Sequence, residues 1–249
     1  MPQSKSGSSN DPGERVIDES AVRILNNRGL DRRSKGDLDA ALADFTQALK
    51  MDPENAAVYN NRGVTWLKKK SYPKALADFD RALEIEADFF IALYNRGIVK
   101  SKLDDWAGAI EDYSRALQKS PDLVQAYNNR GEAFFETGRY PEAAADFSRA
   151  IALDPDFAVA YHNRGRTHCA MDNYEQALRD FSRALVLDPS FADTYAELDN
   201  LPGNQTDRDE MLKTYLENMT SKPEFQKVWR RFQKMRTLRL PPHTDADES

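Results

Sequence analysis

The sequence predicts an all-α solenoid of stacked helical hairpins, and three observations predict it. The tripeptide Asn-Arg-Gly recurs at 27–29, 61–63, 95–97, 129–131 and 163–165, a step of 34 residues with no insertion. Alanine and aromatic residues return at fixed places in every interval, and each interval carries two stretches of helical periodicity divided by turn residues. A constant period of this length marks an array of supersecondary units, each too small to bury its apolar face alone.

Aligned on the glycines, the units are 22–55, 56–89, 90–123, 124–157 and 158–191. The eighth place is always Gly (29, 63, 97, 131, 165), the twentieth Ala41, Ala75, Ala109, Ala143 and Ala177, and the twenty-seventh Ala48, Ala82, Ala116, Ala150 and Ala184. The twenty-fourth is Phe45, Phe79, Tyr113, Phe147 and Phe181. Small residues let two helix backbones approach, and one aromatic per unit fills the remaining gap. In the second stretch, Ala143, Phe147, Ala150 and Ile151 fall at i, i+4, i+7 and i+8, on one helix face. Turn signals such as Thr137-Gly138-Arg139 precede it, and Pro73 and Pro141 stand where a helix tolerates proline, in its first turn. The thirty-second place, Pro53, Pro121, Pro155 and Pro189, ends each second helix, with Ala87 in the second unit.

This period and this order of glycine, alanine, aromatic and proline resemble the tetratricopeptide repeat. The resemblance implies a right-handed α-solenoid of helix-turn-helix repeats, the first helices lining a concave groove, and a non-enzymatic protein-binding adaptor or scaffold. One departure from the family pattern is systematic. The seventh place is Arg in every unit (28, 62, 96, 130, 164), and sixteen residues on stands Asp (44, 78, 112, 146, 180). In a hairpin turning near the fifteenth residue these places lie opposite one another, which predicts an Arg–Asp pair inside each repeat.

The flanks read differently. Residues 1–20 are rich in Ser, Pro, Gly and charge and are expected to form a disordered tail, with the repeats and a half-repeat cap over 21–200. Two C-terminal helices are expected over 201–240 as capping helices, followed by a disordered end at 241–249. The last helix is basic and amphipathic: residues 222–240 carry +6, leaving −12 for the rest of a chain whose formal net charge is −6. Its Lys227, Arg230, Arg231 and Lys234 are candidate contacts for a partner. The alternative reading of the chain is therefore a structural subunit using its convex face and this helix, or one that touches RNA or an anionic membrane through it.

The composition narrows function further. A single cysteine, Cys169, excludes an intrachain disulfide and a multi-cysteine zinc site. No Gly-rich phosphate loop or catalytic constellation is present, so no enzyme activity, cofactor or metal is expected, and the absence of a signal-like or membrane-spanning stretch suggests a cytoplasmic location. The groove is the informative surface. In relatives of this repeat the second, fifth, sixth, ninth, twelfth and thirteenth places face it. The sixth is Asn27, Asn61, Asn95, Asn129 and Asn163, and a row of amides, each donor and acceptor, can hold the backbone of a bound segment. Val64, Leu67, Tyr94, Ile98 and Phe135 are candidate apolar anchors, suited to an extended or helical protein segment. The carboxylate clamp that takes chaperone C-terminal tails needs Lys at the fifth and Asn at the ninth place; neither occurs, which argues against that partner.

Overall fold

The computed structural model describes residues 18–188 together with 190 and 191. These form ten α-helices: α1 (Glu19–Ser34), α2 (Leu38–Met51), α3 (Ala56–Lys68), α4 (Tyr72–Ile85), α5 (Phe90–Lys102), α6 (Trp106–Lys119), α7 (Val124–Glu136), α8 (Tyr140–Leu153), α9 (Ala158–Ala170) and α10 (Tyr174–Leu187). From α3 onward every first helix starts at the first place of its repeat and every second helix at the seventeenth. The predicted 34-residue register is thus the structural register. Glu19 and Ser20, expected in the N-terminal tail, belong instead to α1, because the Asp18 carboxylate accepts from the Ala21 amide at 3.0 Å and starts the helix earlier. The rest of that tail and the expected helices and end over 201–249 lie outside the described residues.

The chain divides after Val99 into two compact units. In the first, α1 packs on α2, α3 on α4, and α2 on α3, and the α5 residues up to Val99 reach the core of Ala75 and Phe79. In the second, α6, α7, α8, α9 and α10 each pack on the next in order.

The core of each hairpin follows from two residue types. The alanines of the twentieth and twenty-seventh places are wholly buried, as are the aromatics between them. A methyl group built on Gly29, Gly63, Gly131 or Gly165 would sit 2.6–2.8 Å from the ring of Phe45, Phe79, Phe147 or Phe181. The ring therefore lies flush on the glycine backbone, which is why the eighth place carries no side chain.

The turn between paired helices has its own requirement. The fifteenth place has positive φ in every repeat: Gly36 (85°), Lys70 (57°), Asp104 (59°), Gly138 (73°) and Asp172 (58°). This left-handed residue lets the amides of the fifteenth and sixteenth places turn back to the end of the first helix, as Lys70 N–H does to Leu67 and Ser71 N–H to Trp66. Left-handed backbone costs a residue with a side chain about 1–2 kcal/mol. Replacing Lys70 by Gly is expected to stabilise the first unit by about 1 kcal/mol after the greater chain entropy of glycine is offset. A thermal midpoint that rises checks this; one that falls shows the Lys70 side chain contributes more than its backbone costs.

Candidate protein-binding face

The seventh-place arginines form the frame on which the candidate face is built. Arg62 binds Asp78 through Nε and Nη2 at 2.8 and 2.6 Å, Arg130 binds Asp146 at 2.7 and 2.8 Å, and Arg164 binds Asp180 at 2.7 and 2.6 Å. Arg28 and Asp44 repeat the arrangement at 2.9 and 2.6 Å. The aspartates are buried. The hydrogen bonds to Asp78 and Asp180 hold the Arg62 and Arg164 guanidiniums above their usual pKa, against burial. Four repeats thus show the predicted pair; Arg96 and Asp112 fall in different units.

The same guanidiniums also tie one repeat to the one before it. Nη1 of Arg62 donates to Thr46 Oγ1 at 3.3 Å, that of Arg130 to Ser114 Oγ at 3.0 Å, and that of Arg164 to Ser148 Oγ at 3.0 Å. Arg96 Nη1 meets the Asp80 carboxylate at 2.7 Å. All four partners occupy the twenty-fifth place of the preceding repeat. Arg28, in the first repeat, is the more exposed, at 52% of its side chain against 20% for Arg62.

One turn along, the eleventh place adds a second group beside the same aspartate: Arg32 at 2.8 Å from Asp44, Lys100 at 2.9 Å from Asp112, and His168 at 3.7 Å from Asp180. Burial pushes the His168 imidazole below its ordinary pKa although Asp180 opposes the shift, and its Nδ1 is buried without a hydrogen-bond partner among the described residues. Neither this place nor the twenty-fifth was singled out by the sequence reading. The signal available was a Ser, Thr or Asp two after every aspartate.

With the arginines holding the helices in register, the sixth-place amides come side by side. Asn61 Nδ2 donates to Asn26 Oδ1 at 3.0 Å, Asn95 Nδ2 to Asn60 Oδ1 at 2.9 Å, and Asn163 Nδ2 to Asn128 Oδ1 at 3.1 Å. Each bond joins the sixth place of one repeat to the fifth place of the repeat before. At the fifth place, expected to face the groove, two residues are instead internal: Asn60 and Asn128 are buried at 6% exposure and serve as acceptors. The sixth-place residues grade from exposed Asn27 through half-buried Asn61, Asn95 and Asn129 to buried Asn163. The Oδ1 atoms of Asn61, Asn95 and Asn163 have no donor among the described residues. The amide orientation is thus fixed on one side and available on the other.

The expected anchors are all half-buried. Val64 and Leu67 pack against the core of Ala75, Phe79 and Val99 and keep their outer surfaces exposed. Tyr94 and Ile98 lie on α5 in the first unit. In the second, the Phe135 ring lies 5.4 Å from that of Tyr140, tilted at 55°, and the Arg166 guanidinium lies over it at 4.7 Å. Lys227, Arg230, Arg231 and Lys234 are outside the described residues. Among the described residues no group of three or more His, Cys, Asp or Glu is arranged to hold a metal, and no helix is long and apolar enough to cross a membrane.

Comparison with known proteins decides the family. Models of the tetratricopeptide repeat match residues 26–88, 94–156 and 158–191. The chain belongs to the tetratricopeptide-repeat family. Among solved structures it is similar to YrrB, described as a TPR protein with an unusual peptide-binding site, at 25% identity and a TM-score of 0.64, with 73% of this chain and 94% of that one covered. It is also similar to MamA, at 23% identity and 0.62, covering 70% and 96%, and to MamA from Desulfovibrio magneticus RS-1, at 19% and 0.64, covering 68% and 96%. No curated protein matches the chain. The fold is the all-α tetratricopeptide solenoid, whose general role is protein interaction.

The last described repeat of this array carries a histidine where three others carry asparagine. His162 lies 5.7 Å from the Phe181 ring and stacks at 5.1 Å on Phe191, and burial, followed by the charge of Arg166, pushes it down from 6.5 to about 4. A depressed folded-state pKa stabilises the fold above the unfolded value, and that contribution is lost as pH falls from 6.5 toward 4. His162→Asn is expected to flatten part of the fall in thermal midpoint across that window, His168 supplying the remainder with the same sign. An unchanged pH profile would show that the ring is solvated.

Proposed function

We propose that the chain is a non-enzymatic adaptor that binds a protein segment, extended or helical, along the first-helix face of its repeats. The observation that carries this reading is that each amide gives one N–H to the scaffold and is held by it, while Oδ1 of Asn61 and Asn95 in the first unit, and of Asn163 in the second, is left as an acceptor. A bound backbone presents N–H groups irrespective of its side chains, so such a row grips a chain without reading its sequence. Selection between segments then falls to the neighbouring apolar surfaces: Val64, Leu67, Tyr94 and Ile98 in the first unit, Phe135 in the second. Asn27 and Asn129 extend the sixth-place row. The peptide-binding site described for the similar protein YrrB supports the same kind of ligand.

Because the acceptors are held by a neighbouring amide, little side-chain freedom is lost on binding, which favours affinity from a modest number of contacts. The test is to pan the full chain against a displayed random-peptide library and measure the affinity of selected peptides for variants. Asn61→Ala and Asn95→Ala are each expected to weaken binding about fivefold, the worth of one hydrogen bond, with the helical circular dichroism retained. Unaltered affinity in both folded variants, or no peptide selected above an unrelated control, would overturn the reading.

A further inference from the structure

The groove-face arginines differ from the rest in what they hold. The half-buried Arg62, Arg96, Arg130 and Arg164 each meet a carboxylate at 2.8 Å or less. Arg33 and Arg166 are half-buried too, yet meet none among the described residues. Arg33, at the twelfth place of the first repeat, gives Nη1 to the backbone oxygen of Asn61 at 3.1 Å, and that is its one hydrogen bond among the described residues. Burial alone pushes its guanidinium down from the usual value, with no acid to raise it. In the second unit Arg166, at a ninth place, lies over the Phe135 ring, and its charge helps depress the pKa of His162.

A half-buried guanidinium without a counter-charge is costly in a folded chain, and a protein of net charge −6 does not lack acids to supply one. The array does supply one at every seventh place described above. Arg33 without a carboxylate reaches Asn61, which stands one helical turn before Val64 on α3, and this places a positive charge, an amide acceptor and an apolar surface within one short stretch of wall. Four of the five donors of Arg33 are unused, in a planar fork that matches a carboxylate.

We propose that the first unit recognises a protein segment by an acidic side chain, Asp or Glu, which pairs with Arg33 while a neighbouring apolar residue of the segment rests on Val64 and Leu67. This rests on the groove reading above and names the chemistry of its ligand. The acid supplies the charge that the fold withholds, and the amide row supplies the backbone grip. Arg166 over Phe135 offers the second unit the same pairing of a cation and an apolar ring. The arrangement differs from a chaperone-tail clamp, whose fifth-place Lys and ninth-place Asn are missing here.

The peptides selected on the full chain provide the test, resynthesised with blocked termini so that only side chains carry acid. The expected result is enrichment of Asp or Glu next to an aliphatic or aromatic residue. Arg33→Glu should weaken these peptides roughly tenfold or more with the helical circular dichroism retained, and exchanging the peptide's acid for Lys should restore binding to that variant. Arg33→Gln, which keeps a donor without the charge, should fall between. Absence of acid enrichment, equal affinity in Arg33→Glu, or binding that requires a free C-terminus would each overturn the proposal. If Asn61→Ala weakens binding while Arg33→Glu does not, the groove reading stands and the acidic preference falls; if no peptide is selected, both fall.

Discussion

In the second, fourth and fifth repeats the seventh-place guanidinium touches three helices, and the rest of the structure is arranged around it. Arg130 on α7 holds Asp146 on α8 and Ser114 on α6; Arg164 on α9 holds Asp180 on α10 and Ser148 on α8. Buried ion pairs add little net stability compared with apolar residues of the same size, because both charges must leave water. Their contribution is to register. A hairpin shifted by one residue would strand an aspartate in the core without its arginine, so only one stacking satisfies every charge. Cohesion comes from elsewhere, from the wholly buried alanines and the aromatic rings laid on Gly29, Gly63, Gly131 and Gly165.

Register is what the amide row needs. The bonds from Asn61 to Asn26 and from Asn163 to Asn128 each cross a repeat boundary over about 3 Å, and a displacement of a few tenths of an ångström weakens them. The arginine and the asparagine are adjacent in sequence, at the seventh and sixth places, so on a helix they point about 100° apart. One face meets the second helices and the other lies along the neighbouring first helix. The recurring tripeptide is therefore a joint between the hairpin pairs and the amide row, with its glycine admitting the aromatic that packs the hairpin.

The fold was legible because its determinants recur in phase. Glycine, alanine and aromatic places repeat without insertion, and the Arg–Asp spacing of sixteen residues equals the distance across the hairpin turn. The face was legible in part. The sixth-place asparagines were recognisable as a row, but their use of fifth-place amides was not, since Asn60 and Asn95 are 35 residues apart and meet only through stacking. The third unit's fifth place is Tyr94 and the fifth unit's is His162, which obscures the pairing rule in the sequence. Arg33 and Arg166 were visible as groove residues, yet nothing in a sequence distinguishes a cation with a carboxylate partner from one without. The early start of α1 was hidden for a local reason, one aspartate cap in a polar stretch.

The central claim is that one arginine per repeat couples each hairpin to its predecessor. A double-mutant cycle on Arg164 and Ser148, measured by urea unfolding of the full chain, tests it most directly, because that contact joins two repeats and the serine's other bond, to the Ala144 carbonyl at 2.7 Å within its own helix, cancels in the cycle. The coupling expected is about 1 kcal/mol or more, the worth of a charge-assisted hydrogen bond. Strictly additive losses would show that the repeats are held together by apolar packing alone and that the arginines serve only their own hairpins.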